Sequence, residues 1–267
     1  MINWRKIKYF AGTTILWGRY LAPIAINQTG QFIAAPMIEG TDQNFVKLWD
    51  IKSQEEKILG EHRFNGSHRI KAVAFTPDNK IVASGGGDKT IKLWDVKGEQ
   101  LERGSLSGHD SEVRCIAISP NGKILASGDG HGIIKFWDLR NKKLSNSIEA
   151  SKLRVNSLTF SSNSDTLLSC SDDGSVQIWS ANTGKKECTI GQHSDPVNSV
   201  VFSPDGKIIA SAGDDNKIKI WEVKSKTLIS ELSGHSRDVT SVAFSPNGQT
   251  IISGSKDCTI RMWQRDK

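Results

Sequence analysis

The chain has 267 residues, of which 37% are hydrophobic and 24% are charged. This balance excludes a disordered chain, which would carry fewer apolar residues and a larger excess of one charge, and the length suffices for a sizeable core. The longest apolar run spans only about six residues, so no transmembrane helix and no membrane partner are predicted. The net charge of +6 suits an acidic partner, although charge spread at this level chiefly gives solubility.

The N-terminal segment and the cysteines are predicted to serve neither targeting nor metal binding. Residues 1–26 begin basic and turn apolar, as a signal peptide does, but Arg19 interrupts the apolar stretch and no small-residue cleavage site follows. We favour two β-strands there. The four cysteines are too widely spaced for a CxxC motif, and no histidine stands beside them at zinc spacing. Reduced thiols in a cytoplasmic protein are therefore expected.

Six tryptophans mark the ends of six similar segments along the chain. Successive members of the set are 45, 43, 42, 42 and 42 residues apart. Each segment alternates apolar and polar residues, as in FVKLWDI and TIKLWDV, which is the two-residue period of a β-strand. The six residues are Trp49, Trp94, Trp137, Trp179, Trp221 and Trp263.

Three further strand patterns accompany each tryptophan. The first, as in VAFTPDNK and VVFSPDGK, is an apolar strand that runs into a turn rich in Pro, Asn, Asp and Gly. The second, as in IVASGGGD and IIASAGDD, is a short apolar strand that ends in small residues and an acidic turn. A fourth strand follows the tryptophan, as in LISELSGH. Four strands and no helix in each repeat predict an all-β fold of stacked four-stranded sheets, a β-propeller.

These repeats resemble the WD-repeat (WD40) family over nearly the whole chain, from about Leu21 to Trp263. The resemblance rests on the Gly-His pairs at residues 108–109 and 234–235 and on the Trp-Asp pairs at residues 49–50, 94–95 and 137–138. The later repeats end in Trp-Ser, Trp-Glu and Trp-Gln instead. The evenness of the last two repeats is similar to the regular arrays of bacterial members.

The resemblance implies a single propeller domain over residues 1–267 with six antiparallel four-stranded blades. The chain stops four residues after Trp263, so the last blade lacks its outer strand. The segment from Trp4 to Leu16 is predicted to supply that strand and to close the ring, which would hide the sheet edges. The alternative is an incomplete seven-bladed propeller, because seven is the commoner number in this family.

The resemblance also implies a buried hydrogen-bonded set of four side chains in each blade: the GH histidine, a hydroxyl, an aspartate and the tryptophan. The last two repeats contain all four, at identical offsets of 18, 22 and 28 residues from the histidine. The histidine, hydroxyl and aspartate of such a set invite a catalytic interpretation. A set that recurs beside a buried tryptophan is structural instead, because a nucleophile needs an accessible cleft. The two sets are His193, Ser211, Asp215 and Trp221, and His235, Ser253, Asp257 and Trp263.

The earlier repeats depart from this pattern. In the third repeat His131 stands where the aspartate is expected, and in the fourth repeat Ser151 replaces the histidine. The longer loop of the second repeat offers either His62 or His68, and the first repeat has Trp17 in the place of the histidine. The resemblance therefore weakens toward the N-terminus.

A partner-binding face around the central channel is also implied by the resemblance. Repeats 2 to 4 bring four cations to this face, and we call them the basic arc: Arg69, Lys71, Arg114 and Arg154. The arc suits an acidic or phosphorylated peptide, because arginine offers paired hydrogen bonds to carboxylate and phosphate. Ordinary solvated rim charges are the alternative. The whole predicted face comprises Tyr20, Arg69, Lys71, Glu112, Arg114, Arg154, Asn156, Asn198, Asp214, Asp238 and Lys256.

We therefore predict a non-catalytic scaffold that binds a protein or peptide, expected to be acidic, and that acts as a monomeric ring within a complex. Nucleic-acid binding through the basic arc is one alternative, but Tyr20 is the one aromatic candidate on that face, which argues against base stacking. A subunit or fragment of a larger WD-repeat protein is another. No catalytic residue, metal or cofactor is predicted, because no cluster of titratable residues stands outside the repeat pattern.

Overall fold

The computed structural model of the protein describes residues 23–39, 43–62, 69–98 and 100–264. Every regular element in these ranges is a β-strand. The same ranges contain no helix with the length and apolarity needed to cross a bilayer. The predicted closing strand from Trp4 to Leu16, the predicted face residue Tyr20 and the candidate His68 lie outside the described residues.

The first three sheets each contain four strands. The strands of each sheet follow one another in chain order, and all neighbours are antiparallel. The first sheet contains β1 (Ala25–Ile26), β2 (Phe32–Glu39), β3 (Gln43–Asp50) and β4 (Glu56–His62). The second contains β5 (Ile70–Phe75), β6 (Ile81–Gly86), β7 (Thr90–Asp95) and β8 (Gln100–Ser107). The third contains β9 (Val113–Ile118), β10 (Ile124–Asp129), β11 (Ile133–Asp138) and β12 (Lys143–Glu149).

The remaining sheets continue the same antiparallel pattern. The fourth sheet contains β13 (Val155–Phe160), β14 (Thr166–Ser171), β15 (Ser175–Ser180) and β16 (Lys186–Gln192). The fifth contains β17 (Val197–Phe202), β18 (Ile208–Gly213), β19 (Lys217–Glu222) and β20 (Thr227–Ser233). The sixth has three strands among the described residues: β21 (Val239–Phe244), β22 (Thr250–Ser255) and β23 (Ile260–Gln264). The prediction of an all-β fold built from repeated four-stranded antiparallel sheets is confirmed.

The turn after each first strand is built by its own side chains. In the fifth sheet the Ser203 hydroxyl donates to the Asp205 carboxylate at 2.6 Å, and the same carboxylate accepts the Lys207 amide at 3.1 Å. Gly206 supplies the positive φ of 70° that the turn needs. The Ser-Pro-Asp-Gly sequence therefore reverses the chain with its polar groups satisfied, and it sets the register between β17 and β18, the strands that it joins.

Successive sheets pack face to face, with their first strands β5, β9, β13, β17 and β21 side by side. The core lies between the sheets. Between the fifth and sixth sheets, for example, Ile218 and Ile220 pack against Val239, Val242 and Ile251, and all five are buried. Each sheet therefore buries its apolar face only because a neighbour covers it.

Tryptophans of the second and fifth sheets also contact the outer strand of the sheet before them. The Trp221 ring lies so close to Gly191 on β16 that a methyl group at residue 191 would overlap the indole. Trp94 covers Gly60 on β4 in the same way. Glycine is needed at these two positions for close approach of a ring to the backbone. The repeated tryptophans thus join one repeat to the next.

The first and the sixth sheets each expose apolar side chains on a face that packs against a neighbouring sheet elsewhere in the array. On the last sheet Ile260 and Met262 are 80% and 72% exposed, whereas their counterparts Ile218 and Ile220 in the fifth sheet are buried. On the first sheet Ile24 is 67% exposed, although its counterpart Val242 is buried. The face left open on the sixth sheet is therefore the complement of the face left open on the first.

Candidate functional site

Two kinds of connection lie at one end of all the sheets, which we call the loop face. Because neighbouring strands are antiparallel, the turn between the second and third strands reaches the same end as the connection from a fourth strand to the next sheet. The loop face therefore gathers the predicted histidines, the turn aspartates and the predicted partner-binding residues. The opposite end carries the Pro-Asp-Gly turns.

The four side chains of the fifth repeat meet beneath the loop face. The Trp221 indole N–H donates to Ser211 Oγ at 2.8 Å, and Ser211 Oγ lies 2.7 Å from His193 Nε2. His193 Nδ1 lies 2.8 Å from a carboxylate oxygen of Asp215. The serine hydroxyl therefore donates to Nε2, while Nδ1 carries the proton donated to the aspartate. This arrangement satisfies every member with a neutral imidazole.

The sixth and second repeats form the same set. In the sixth, His235 lies 2.8 Å from both Ser253 Oγ and Asp257 Oδ2, and the Trp263 N–H donates to Ser253 at 2.9 Å. In the second, His62 provides the imidazole. The corresponding residues there are His62, Ser84, Asp88 and Trp94, with separations between 2.7 and 2.8 Å.

The third repeat is complete as well, which corrects the prediction that it lacks the aspartate. His109 Nδ1 lies 2.8 Å from Asp129 Oδ2, and its Nε2 lies 2.7 Å from Ser127 Oγ. Asp129 stands two residues before the expected position, which His131 occupies. The carboxylate also accepts the amides of His131 and Ile133, at 2.9 and 3.0 Å, so it organises the turn as the later aspartate does elsewhere. The sequence signal was an aspartate at the end of a strand where other repeats have Gly or Ser.

The fourth repeat replaces the imidazole with hydroxyl groups. Ser171 donates to Ser151, and Ser151 donates to Asp173, each at 2.7 Å. The Trp179 N–H still donates to Ser169 at 2.8 Å. Asp173 therefore keeps a buried donor, the hydroxyl of Ser151. Ser169, which accepts from Trp179, is no longer linked through an imidazole to Asp173.

Burial and hydrogen bonding shift the pKa values in these sets. Burial lowers the pKa of His193 below its ordinary value near 6.5 and outweighs the opposing effect of Asp215. For Asp129, burial acts to raise the pKa, but hydrogen bonds from His109 and the Ile133 amide outweigh it, so the pKa lies below its ordinary value near 3.8. Burial therefore favours neutral imidazole at His193, and hydrogen bonding favours ionised carboxylate at Asp129. The serine hydroxyls of these sets are buried, so the sets present no nucleophile to solvent.

Two cations of the basic arc are paired within the loop face. Lys71 Nζ lies 3.8 Å from Glu112, and Arg114 donates to the same carboxylate at 2.6 Å. A second Arg114 nitrogen donates to Asn156 Oδ1 at 3.4 Å. These contacts join the second, third and fourth sheets. Glu112 thereby compensates part of the positive charge that was predicted to face a partner.

Two asparagines of the predicted face link neighbouring sheets. Asn156 Nδ2 donates to Asp172 at 2.7 Å and to the Val197 carbonyl of the next sheet at 2.9 Å. Asn198 repeats this one sheet later, through Asp214 at 2.7 Å and the Val239 carbonyl at 3.0 Å. The repeated pattern indicates that these two residues hold neighbouring sheets together at the loop face.

The acidic side of the face contains a close pair of carboxyl groups. Burial and the neighbouring Asp238 raise the pKa of Asp214, while the amide of Asn198 opposes the rise. Lys256 Nζ lies 2.5 Å from Asp238 and lowers the pKa of that carboxyl. The carboxylates on this side of the face are therefore also engaged within the protein, by Asn198 and Lys256.

Arg154 is the member of the basic arc most exposed to solvent. Its side chain is 59% exposed, and its Nε lies 3.8 Å from Asp172. It borders a cleft of about 490 Å³ between the third and fourth sheets, together with Gly130, His131, Lys152, Leu153 and Asp172. This grouping is not evident from the sequence, because the exposure of His131 follows from the role of Asp129 as the partner of His109. Arg69, the remaining member of the arc, is half-buried at the start of the second sheet.

The opposite end of the array has a wider groove of about 1180 Å³ between the second, third and fourth sheets. Its charged residues have both signs: Asp78 and Asp138 beside Lys123 and Arg140. This groove therefore favours no charged partner of one sign. Among the described residues, no group of three or more His, Cys, Asp or Glu side chains could hold a metal ion.

Comparison with known proteins gives matches to two family models. A model described as the WDR19 first beta-propeller matches residues 72–233, and the WD domain, G-beta repeat model matches residues 226–264. The chain is 34% identical to a serine-threonine kinase receptor-associated protein of Gallus gallus over 68 residues, which is 26% of this chain and 18% of that protein. It is 26% identical to the ribosome biogenesis protein WDR12 homolog of Nematostella vectensis over 101 residues, 38% of this chain and 23% of that protein. The matches thus span less than a quarter of either relative.

Proposed function

Because this chain belongs to the WD-repeat β-propeller family, we propose that it is a non-catalytic scaffold that binds protein partners through its loop face. The observation that carries the proposal is the division of polar groups on that face. The histidines, serines and aspartates of the repeats satisfy one another in buried sets, so solvent-facing chemistry is left to the rim of the loops. A rim on which the described residues form no reactive centre suits recognition rather than turnover.

The names of the relatives support this proposal. One is a kinase receptor-associated protein and another is a ribosome biogenesis protein, and neither name describes a catalyst. Proteins of both kinds act with other macromolecules. We extend only this general property to the present chain, and we propose a peptide or protein segment as the partner.

Six sheets closing into one ring is the architecture we propose for residues 1–267. Ile24 and Ile26 at the first sheet, and Ile260 and Met262 on the last, belong to the two kinds of face that pack together between other neighbours, as Val242 and Ile218 do. Exposure of these four side chains to water is unfavourable, at about 25 cal/mol for each Å² of apolar surface. Contact between the first and last sheets would remove that surface from water and cover two sheet edges.

Chemical cross-linking tests this closure. Ile24→Cys and Ile252→Cys place thiols on the two open faces, in a Cys258→Ser background that removes an exposed native thiol. A closed ring predicts that a short bis-maleimide links the two thiols within one chain, and that the protein sediments as a monomer. Links between chains, or a stable oligomer, would overturn the six-bladed ring and favour an incomplete seven-bladed array or association of copies. The Ile24→Cys single variant is the control.

Affinity capture tests the function. The wild-type chain is compared with a variant that reverses three exposed charges of the loop face, and with a matched control that reverses three on the opposite end, all in nuclease-treated lysate. Proteins retained by the wild type and the control but lost from the first variant would support the proposal. Equal capture by all three would overturn the loop face as the site. The first variant carries Lys152→Glu, Arg154→Glu and Arg237→Glu; the control carries Lys123→Glu, Arg140→Glu and Lys224→Glu.

A further inference from the structure

The cleft between the third and fourth sheets is lined by two cations, Lys152 and Arg154, whose side chains are more exposed than those of Lys71, Arg114 and Lys256. Lys71 and Arg114 converge on Glu112, and Lys256 is paired with Asp238. Arg154 instead extends into solvent with a carboxylate oxygen of Asp172 at 3.8 Å, beyond hydrogen-bond distance. The nearer partner of Asp172 is the amide of Asn156, at 2.7 Å. The guanidinium donors of Arg154 are therefore available to a ligand.

A change of residue roles in the third repeat adds an imidazole to the same cleft. In the other complete sets the turn aspartate points inward to its histidine. Because Asp129 fills that role two residues earlier, residue 131 is released from it, and His131 is exposed at the edge of the cleft. The exposed imidazole lines the cleft, where it can contact a ligand.

The opposite wall of the cleft is formed by a short loop whose backbone is held in place. The amides of Ala150 and Ser151 donate to the Gly132 carbonyl at 2.9 and 3.2 Å, and the Leu153 amide donates to Ser151 Oγ at 3.0 Å. This loop presents Lys152 and the half-exposed Leu153 beside Arg154. Lys152 contacts Glu149 at the outer margin, where its side chain is highly exposed. The wall thus combines two cations and one apolar side chain on a fixed backbone.

We infer that this cleft binds an oxyanion of a peptide partner, either a phosphate or a carboxylate, with an apolar residue of the peptide against Leu153. Arg154 supplies paired donors, which suit the geometry of both oxyanions. His131 and Lys152 supply further donors from the two walls, and the volume of about 490 Å³ accommodates one phosphorylated or acidic side chain with its neighbour. This inference rests on the proposed scaffold function and specifies where an acidic segment would be recognised.

Histidine-selective NMR provides a site-specific test. The protein is labelled with ¹³C at the histidine rings, and His131→Gln identifies the His131 resonance. The probes are peptides of one sequence, Gly-Leu-X-Leu-Gly flanked by neutral residues, in which X is phosphoserine, glutamate or serine. We expect the phosphoserine or glutamate peptide to shift the His131 resonance and leave the four buried histidines unchanged, while the serine peptide has no effect. The difference between the two active probes distinguishes phosphate from carboxylate.

Substitutions then assign the contacts. We expect Arg154→Ala to weaken the active probe about tenfold, which is about 1.4 kcal/mol, because the oxyanion loses a charge-assisted hydrogen bond. Lys224→Ala, an exposed cation at the opposite end, should leave the affinity unchanged. Failure of both charged peptides to shift His131, or equal affinity of the wild type and Arg154→Ala, would overturn the inference. Loop-face-dependent capture of proteins in lysate would survive that result, so the two proposals fail separately.

Discussion

His109 and Asp129 are joined by a hydrogen bond of 2.8 Å between Nδ1 and Oδ2, across a sequence separation of 20 residues. The fifth and sixth sheets make the same contact across 22 residues. In the third sheet the carboxylate therefore comes from a residue two positions earlier in the hairpin, but it makes the same contact with the imidazole. This shows that the protein preserves the buried pair rather than the position that supplies it.

Moving the carboxylate back should restore the ordinary arrangement. Asp129→Gly alone leaves the His109 ring without its acceptor, and we expect a loss of about 1–3 kcal/mol in the free energy of unfolding, the usual cost of an unsatisfied buried polar group. Adding His131→Asp gives the third turn the same Gly-Gly-Gly-Asp sequence as residues 85–88 and should recover most of that loss. Urea denaturation measures both variants.

The single variant His131→Asp is the matched control for this cycle. It should leave stability nearly unchanged, because Asp129 already occupies the acceptor position beside His109. If the double variant were no more stable than Asp129→Gly, the displaced carboxylate would not be the reason for the loss. A favourable coupling of more than about 0.5 kcal/mol between the two substitutions supports it.

The fourth sheet can be tested by adding a group instead of removing one. Ser151 stands 18 residues before Ser169 and 22 before Asp173, the same offsets as the complete sets. We expect Ser151→His to rebuild the chain from Trp179 to Asp173 and to raise the free energy of unfolding by about 1 kcal/mol, the net value of a buried hydrogen bond. The sixth sheet supports this expectation, because Ser255 there, the counterpart of Ser171, coexists with His235.

Ser151→Asn is a control of intermediate size that cannot reach both partners. A protein destabilised by both substitutions would show that the fourth sheet has no room for an imidazole. In that case the hydrogen-bonded hydroxyls of Ser151 and Ser171 would be the arrangement that fits the space in this sheet.

The strands were predictable from the sequence because their period of two and their turns are local properties. The stacking of neighbouring sheets was also predictable, because no single sheet covers its own apolar face, and the packing of Ile218 against Val242 is one instance of it. The role of Asp129 did not follow, because a turn tolerates an acceptor at either of two positions and only the fold shows which one reaches His109. Offsets alone therefore gave the fifth and sixth sets but misassigned the third.

The charges of the loop face were harder to interpret for a related reason. Lys71, Glu112 and Arg114 come from two sheets, and the sequence shows their charges but not their distances. The positions of these residues within the repeats place them on one face, but they do not show which residues form ion pairs. The pairing decides how much charge a partner encounters. Arg114 is paired with Glu112, whereas Arg154 is the more exposed of the two arginines.

The depressed pKa of His193 makes stability depend on pH. Its folded pKa lies below the ordinary value near 6.5, so the unfolded chain binds the proton more readily. The stabilisation is therefore complete above pH 6.5 and is lost as the pH falls through the folded pKa. We expect the free energy of unfolding, measured with urea at pH 7, 6 and 5, to decrease with acidity.

His193→Gln should lower stability at pH 7 and reduce the slope between pH 7 and pH 5. Val200→Ala is the control, because it removes buried apolar volume from the same region without changing a titratable group. We expect this control to lose stability equally at each pH. A His193→Gln slope as steep as that of the wild type would show that other groups cause the acid sensitivity.

The contact between Gly191 and Trp221 gives the sharpest test of how the sheets are joined. Gly191 is not in the left-handed region, so alanine is acceptable to its backbone, but the added methyl group would overlap the indole ring. We expect Gly191→Ala to cost about 1–3 kcal/mol in the free energy of unfolding through overpacking, although alanine normally stabilises a strand relative to glycine. Combining it with Trp221→Phe, which shortens the ring, should cost less than the sum of the two single changes. An additive result would mean that the ring does not fix β16 against the fifth sheet.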